Sequence, residues 1–275
     1  VQRKKPESSI KGTLNVAGAA LSYQLDGPAS SEVIMLANSL AADMRMWEAN
    51  LPALTARYRV LRYDMRGHGE SSTSTIRHPI AVLTDDAVAL LDELRLENVH
   101  FVGLSMGGVI GQQLGARHSE RLRSLVLSNT MSEQVAPQVW TARMEAVRAG
   151  GIATIVEGTI SRWFTPSFLE NSSHDVAWVR AMILGTCPEA YIECADALRG
   201  LSQSSILPHI ATPTLVITGQ ADIAATPAMA HQMQSRIPHA QIQIIESAAH
   251  LPCVERPEAF TDVLLRFIAG HAAGG

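Results

Sequence analysis

Residues 99–109 read VHFVGLSMGGV, and the fold turns on how this stretch is parsed. Taken as a strand over Val99–Val102, a turn through Gly103-Leu104-Ser105-Met106-Gly107 and a helix from about Met106, it matches the G-x-S-x-G pattern of a nucleophile elbow. The glycines have a steric purpose. A serine at the point of a sharp strand-to-helix turn, often with strained backbone angles, needs neighbours two positions away with little or no side chain. The turn lifts the Ser105 Oγ clear of the sheet, and the helix starting beneath it offers free N–H groups where negative charge would develop. A glycine-rich β-to-α turn with a capping serine has the same letters, so the decision passes to the flanks.

Upstream, GTLNVAGAALSYQLDG (12–27) alternates on both sides of Gly18 and predicts a hairpin. EVIMLAN (32–38) is a short apolar run suited to a strand covered on both faces. SLAADMRMWEANLPAL then shows helical spacing through Met44, Trp47 and Leu51, and YRVLRYD (58–64) is the next strand, followed by the glycine-bearing loop MRGHGESS. Residues 79–94 set Leu83, Ala87, Leu90, Leu91 and Leu94 on one side of a helix that opens with a proline. Past the elbow helix, which runs to about Arg117, RLRSLVLSNT (121–130) is a strand ending in a polar loop. A hairpin followed by repeated β-α units predicts a largely parallel sheet with helices on both faces.

Between 132 and 205 no strand is evident, and 137–149, 151–163, 174–185 and 188–201 read as short helices separated by Gly151, Pro166 and Pro188. PTLVITG (213–219), the helix ATPAMAHQMQSRI, the strand AQIQIIES (240–247) and the helix PEAFTDVLLRFIAG (257–270) restore the earlier alternation. Residues 1–131 and 206–275 are therefore expected to form a core, and 132–205 an inserted helical lid.

A chain of 275 residues has room for such a core with an insertion. Its 47% hydrophobic and 17% charged residues are a globular composition, and a net charge of -4 leaves no basic stripe for nucleic acid. No apolar run approaches the roughly 18 residues that cross a bilayer, so no membrane partner is expected. VQRKKPESS has no apolar region or cleavage site behind it, so no secretory signal is expected in the chain as given. Cys187, Cys194 and Cys253 are odd in number and lack metal-ligand spacing, which fits free thiols in a reducing compartment and a cytoplasmic location. Nothing marks an oligomer interface; monomer and homodimer both stay open.

An activated serine needs a base and a group to orient that base. Asp222 lies in GQADIAATP, directly after the strand 213–218, and His250 in SAAHLP, directly after the strand 240–246. In a parallel sheet the C-terminal strand ends open on one edge, so these loops can converge on Ser105. The order Ser, Asp, His also distinguishes the arrangement from the chymotrypsin and subtilisin types. Singly, Asp222 fits a helix or turn cap, and His250 is one of ten histidines; the joint placement favours a triad. Asn129 stands where another acid can sit, but an amide carries no charge to stabilise an imidazolium. Glu246 is too close in sequence to His250 to orient it, and His68, between glycines, fits a loop-holding role. The oxyanion needs two donors: the Met106 N–H, and an N–H from Asn38-Ser39-Leu40-Ala41, expected to be that of Leu40. Met44, Met46 and Met106 read as pocket wall or core filler. With no G-x-G-x-x-G followed by an acid, no G-K-[ST] loop and no tight ligand cluster, no metal or nucleotide cofactor is called for.

NSLAADMRMWEANLPALTARYRVLRYDMRGHGES, GLSMGGVIGQQLG, LVLSNT, SRWFTP and CPEAY together resemble the α/β-hydrolase fold family, and more narrowly its 3-oxoadipate enol-lactonase branch, over nearly the whole chain. GLSMGG and RGHG are shared across the superfamily; NSL, the following MW, RYDMRGHG and RWFTP carry the narrower likeness. The resemblance implies an α/β-hydrolase fold: a mostly parallel eight-stranded sheet flanked by helices, with an inserted helical lid. It places the nucleophile on Ser105, the acid on Asp222, the base on His250 and the oxyanion donors on Leu40 and Met106. Ser39, Trp140, Arg162 and Trp163 fall at the pocket, with Arg162 either meeting a substrate carboxylate or packing the lid. The implied substrate is a small ester or lactone, in the narrow case 3-oxoadipate enol-lactone. A carboxylesterase, an acyl-homoserine lactonase, an amide or C–C bond hydrolase and a non-catalytic small-ligand receptor are the other readings. GQADIAATPAM and LPCVERPEAF differ from that branch's usual pattern, which keeps another ester or lactone in view.

Overall fold

Gly18, with φ of +75°, turns the chain between β1 (Ser9–Val16) and β2 (Ala19–Asp26), which pair antiparallel from Ser9↔Asp26 to Val16↔Ala19 as the alternation about this glycine predicts. The structure is a computed structural model and describes residues 9–74 and 76–272. Residues 1–8 of VQRKKPESS, on which the expectation about a secretory signal rests, lie outside the described residues.

Six further strands complete one sheet: β3 (Val33–Ala37), β4 (Arg59–Tyr63), β5 (Val99–Leu104), β6 (Leu122–Ser128), β7 (Thr214–Gly219) and β8 (Gln241–Ile245). The order is β1-β2-β4-β3-β5-β6-β7-β8; β2 meets β4 antiparallel, and every pairing from β4 to β8 is parallel. β3, β5 and β7 are buried along their whole length, which is why they appear as unbroken apolar runs. The strand order reverses between β3 and β5. In an open α/β sheet the crevice beyond the carboxyl ends of the strands at such a switch point is where ligands bind, and Leu40 and Ser105 follow those two strands.

The helices before the insertion are α1 (Leu51–Thr55), α2 (Ile80–Glu93) and α3 (Met106–Arg117). Five more lie between β6 and β7: α4 (Pro137–Gly150), α5 (Val156–Trp163), α6 (Pro166–Asn171), α7 (Ser173–Leu184) and α8 (Pro188–Arg199). α9 (Pro227–Gln234), α10 (Pro252–Glu255) and α11 (Pro257–Ala269) follow. The inserted block is closed at its neck: Glu133 bridges Ser202, the Gln134 N–H donates to the Leu201 carbonyl at 2.9 Å, and the Gln203 N–H to the Ser132 carbonyl at 2.7 Å. Among the described residues no helix is long and apolar enough to cross a membrane. Cys187, Cys194 and Cys253 are free, the last two buried.

Three local readings change. The spacing through Met44, Trp47 and Leu51 is a 3-10 turn, Met44–Trp47, followed by a separate α1, because Pro52 lacks the N–H a continuous ladder would use. Pro166 does not only separate helices; it opens α6, with the Thr165 hydroxyl accepting from the Phe168 N–H. In LPCVERPEAF a single turn, α10, precedes α11.

Candidate active site

The elbow is strained as its sequence requires. Ser105 has φ of +55° and ψ of -110°, outside the regions open to ordinary L-residues. A Cβ on Gly103 would land on the Gly107 carbonyl oxygen, and one on Gly107 on the Ala37 carbonyl oxygen, so both positions exclude side chains. Hydrogen bonds hold the conformation: the Ser105 N–H donates to the Ser128 carbonyl at 2.9 Å, and its own carbonyl accepts from the Val109 N–H at 3.0 Å and the Thr130 hydroxyl at 2.7 Å.

The loop after β3 is stitched to this turn. The Asn38 carbonyl accepts from the Gly107 N–H at 3.0 Å, while the Asn38 side chain donates to the Tyr63 carbonyl and accepts from the Trp47 indole, each at 2.8 Å. The N–H groups of Leu40 and Met106 donate to no protein acceptor among the described residues. For Met106 the cause is its place at the start of α3, where helical N–H groups have no intrahelical partner.

Asp222 and His250 meet at the ends of β7 and β8. The loops carrying them are zipped together by backbone bonds from Gln220 to Ile245 (2.9 Å) and from Ala221 to Ala248 (2.8 Å). His250 Nδ1 lies 2.8 Å from Asp222 Oδ2, which also accepts from the Asn129 side-chain amide at 2.8 Å. Asp222 Oδ1 accepts from the N–H groups of Ala224 (2.8 Å) and Ala225 (3.0 Å). Burial pushes this carboxyl up, but the charge of His250 and the hydrogen bonds from His250, Asn129 and Ala225 outweigh it, and the net shift is downward. An ionised acid is thus matched to one ring nitrogen of the imidazole, the relation that fixes a tautomer and steadies a positive ring.

Ser105 and His250 face a cavity of about 340 Å³, together with Ser39 and Leu40. The insertion supplies Trp140, Arg143, Arg162 and Trp163 to the same cavity. The Trp163 ring lies 6.2 Å from the His250 ring at an interplanar angle of 25°, and its carbonyl accepts from the His250 N–H at 3.1 Å. Among the described residues no group of three or more His, Cys, Asp or Glu is placed to hold a metal ion.

A family model described as the alpha/beta hydrolase fold matches residues 32–257. The chain belongs to this family. At 34% identity over 255 residues this α/β-hydrolase is similar to 3-oxoadipate enol-lactonase 2 of Acinetobacter baylyi, with 93% of this chain and 95% of the relative covered. The crystal structure of the enol-lactonase from Burkholderia xenovorans LB400 matches with a TM-score of 0.91 and 35% identity, over 94% of this chain and 100% of the other. A hydrolase from Pseudomonas aeruginosa PA01 matches with a TM-score of 0.90 and 36% identity, over 94% and 98% of the two chains.

The structure brings the residues assigned to the site from the sequence to one region of this α/β-hydrolase: Ser39, Leu40, Ser105, Trp140, Arg162, Trp163 and His250 line the cavity, Met106 opens α3 beside Ser105, and Asp222 backs His250. His68 instead lies buried in its loop, with Nδ1 2.9 Å from the Arg66 carbonyl. Met44, Met46 and Met106 are buried, and none of them lines the cavity. Two contributors were missed. Asn129, set aside as a poor substitute for an acid, links Asp222 to the Ala249 carbonyl at 3.0 Å. Arg143 reaches the cavity from α4, donating to the Tyr191 hydroxyl and the Thr159 hydroxyl, each at 2.7 Å, with its guanidinium 5.7 Å from the Trp140 ring centre. Neither Arg143 nor Arg162 pairs with a carboxylate among the described residues, and none of the cavity-lining residues is acidic.

Proposed function

We propose that this hydrolase opens a carboxylate-bearing lactone of the 3-oxoadipate enol-lactone type through an acyl-enzyme on Ser105, and that residues 132–205 serve as a lid that recognises the substrate's charge. The observation carrying this reading is the cavity's charge: Arg143 and Arg162 line it without an acidic counterpart. An anion entering it gains charge-assisted hydrogen bonds, and no residue lining the cavity presents a carboxylate to it.

His250, oriented by ionised Asp222, takes the Ser105 proton as Oγ attacks the lactone carbonyl. The oxyanion is held by the Leu40 and Met106 N–H groups, whose freedom from protein acceptors leaves them available. Collapse breaks the ring C–O bond; the departing enolate takes the proton from His250 and tautomerises to a ketone, which makes opening effectively irreversible. Water activated by His250 then attacks the acyl-enzyme and Ser105 leaves protonated. The relatives named as enol-lactonases, at 34% and 35% identity, support the choice of lactone. The three free thiols fit action in a reducing compartment such as the cytoplasm.

A neutral ester is the second reading, favoured by an apolar rim: Val135, Val139 and Ile223 line the same cavity yet are 69%, 45% and 67% exposed. The test compares kcat/KM for 3-oxoadipate enol-lactone, p-nitrophenyl esters and acyl-homoserine lactones. The enol-lactone is expected to lead the panel. Uniformly small values would reject it as the substrate, and a lead for the neutral esters would favour the second reading.

A further inference from the structure

Glu255 is a buried carboxylate that the mechanism above does not use. It ends α10, five residues after His250, and is only 5% exposed. Its Oε2 accepts from the N–H of Ala249, the residue before the base, at 2.7 Å. Its Oε1 accepts from the Thr165 N–H at 3.0 Å and also from the Thr165 hydroxyl. Thr165 lies two residues beyond Trp163, just past the end of α5. No Lys, Arg or His pairs with Glu255 among the described residues, so neutral donors alone hold it.

Burying a charge this way is costly, and a post that only filled space would do better with an apolar or amide side chain. The donor arrangement explains the carboxylate. Three donors converge on two oxygens, so both must be acceptors; a glutamine would turn its NH2 towards an N–H whichever way its amide flipped.

The other grips on the same backbone give the tie its meaning. The Ala249 carbonyl accepts from Asn129, which also donates to Asp222, and the His250 N–H donates to the Trp163 carbonyl. The main chain entering His250 is therefore clamped at the Ala249 N–H, the Ala249 carbonyl and the His250 N–H. Glu255 and Trp163 both join it to the end of α5.

We propose that Glu255 is a positioning residue: by tying Ala249 to Thr165 it holds His250 and the end of α5 as one unit, and so sets the approach of the imidazole to Ser105. The proposal rests on the reading of His250 as the base. It requires that loosening the tie act on the chemical step more than on substrate binding.

The test uses the full chain, p-nitrophenyl acetate as substrate and a fluorophosphonate that labels an activated serine. Misplacing a catalytic group by about 1 Å costs on the order of 100-fold, so Glu255→Gln is expected to lower kcat and slow labelling by tens of fold while KM stays near wild type. Thr165→Val, which removes the hydroxyl both as donor to Glu255 and as acceptor for the Phe168 N–H, is expected to lower kcat by about threefold to tenfold, in line with about 1 kcal/mol for the hydrogen bond to Glu255, and Thr165→Ser to restore it. If Thr165 served only to cap α6, Thr165→Val would lower Tm and leave kcat and labelling unchanged, which overturns the proposal. A folded Glu255→Gln protein with wild-type kcat and labelling overturns it as well; should that variant fail to fold, Thr165→Val decides. Ser105→Ala separates the two levels. Turnover surviving in it removes the serine mechanism and this proposal together, whereas an inactive Ser105→Ala beside a fully active Glu255→Gln removes this proposal alone.

Discussion

On the strand-end side of the cavity Asp222 accepts four hydrogen bonds and the backbone entering His250 is held at the Ala249 N–H, the Ala249 carbonyl and the His250 N–H; on the insertion side Arg143 leans on two hydroxyls and an indole, and Arg162 meets no carboxylate among the described residues. The first side comes from loops at the ends of a buried sheet, whose positions the sheet dictates. The second comes from helices that join the core through the neck at Glu133 and Ser202 and through contacts such as the Cys187 N–H on the Gly67 carbonyl at 2.9 Å. On the proposed reading, chemistry that tolerates little displacement sits on the side fixed by the sheet, and charge recognition on the side that can vary while the fold is kept.

If that division holds, substitutions on the strand-end side act on turnover for any substrate. The largest effect expected here is for Asp222→Asn, which leaves the shape but loses the charge and tautomer control: kcat falls on the order of 10⁴-fold for charged and neutral esters alike. A steady-state comparison of two such substrates checks it, and a loss confined to one would break the division. Arg143→Met belongs to the other side. Removing a hydrogen bond to a charged group, about 1.5–3 kcal/mol, predicts a fall of roughly 10- to 150-fold in kcat/KM for a carboxylate-bearing lactone, with neutral p-nitrophenyl esters little changed. Asn129→Ala tests whether the clamp matters beyond the acid itself. It frees one bond on Asp222 and one on Ala249, and a drop of about tenfold in kcat with KM unchanged is expected from the loss of about 1.4 kcal/mol in the transition state.

The smallest effect lies outside the cavity and sharpens the contrast by leaving activity alone. Burial pushes the His68 pKa down to about 4, with a bond to the Arg66 carbonyl opposing the shift. The unfolded chain takes up a proton below about pH 6.5 that the folded chain refuses until about pH 4, so this group costs stability on acidification, up to about 1.4 kcal/mol per pH unit. Asp64, pushed up to about 6 chiefly by burial, works the other way, because the folded form protonates first. His68→Asn keeps a donor for the Arg66 carbonyl and removes only the first contribution. Urea midpoints from pH 7 to 5 are expected to fall less steeply in this variant than in wild type, with kcat at pH 7 unchanged.

How much of this was legible in the sequence follows the same line. β3, β5 and β7 are buried on both faces and so stand out as apolar runs; α2 and α11 each bury one stripe and show helical spacing. Ser105, Asp222 and His250 stood out because each follows a strand, and strand ends share an edge. Arg143 did not, since an arginine on a polar helix looks the same whether it faces water or a cavity; which way α4 turns is decided by its packing against α8, far along the chain. Asn129 was judged by its own chemistry, whereas its role depends on Asp222 and Ala249, 93 and 120 residues away. Glu255 carried no signal of its own within LPCVERPEAF, and only its burial against Thr165 and Ala249 distinguishes it.

The most direct test of the division between the two sides is the ratio of kcat/KM for a carboxylate-bearing lactone to that for its methyl ester, measured in wild type and in an Arg143→Met/Arg162→Met variant. Wild type is expected to prefer the carboxylate, and the variant to lose most of that preference while hydrolysing the methyl ester at close to the wild-type rate. A ratio unchanged by removing both guanidinium groups, or a variant equally impaired on the two substrates, would contradict it.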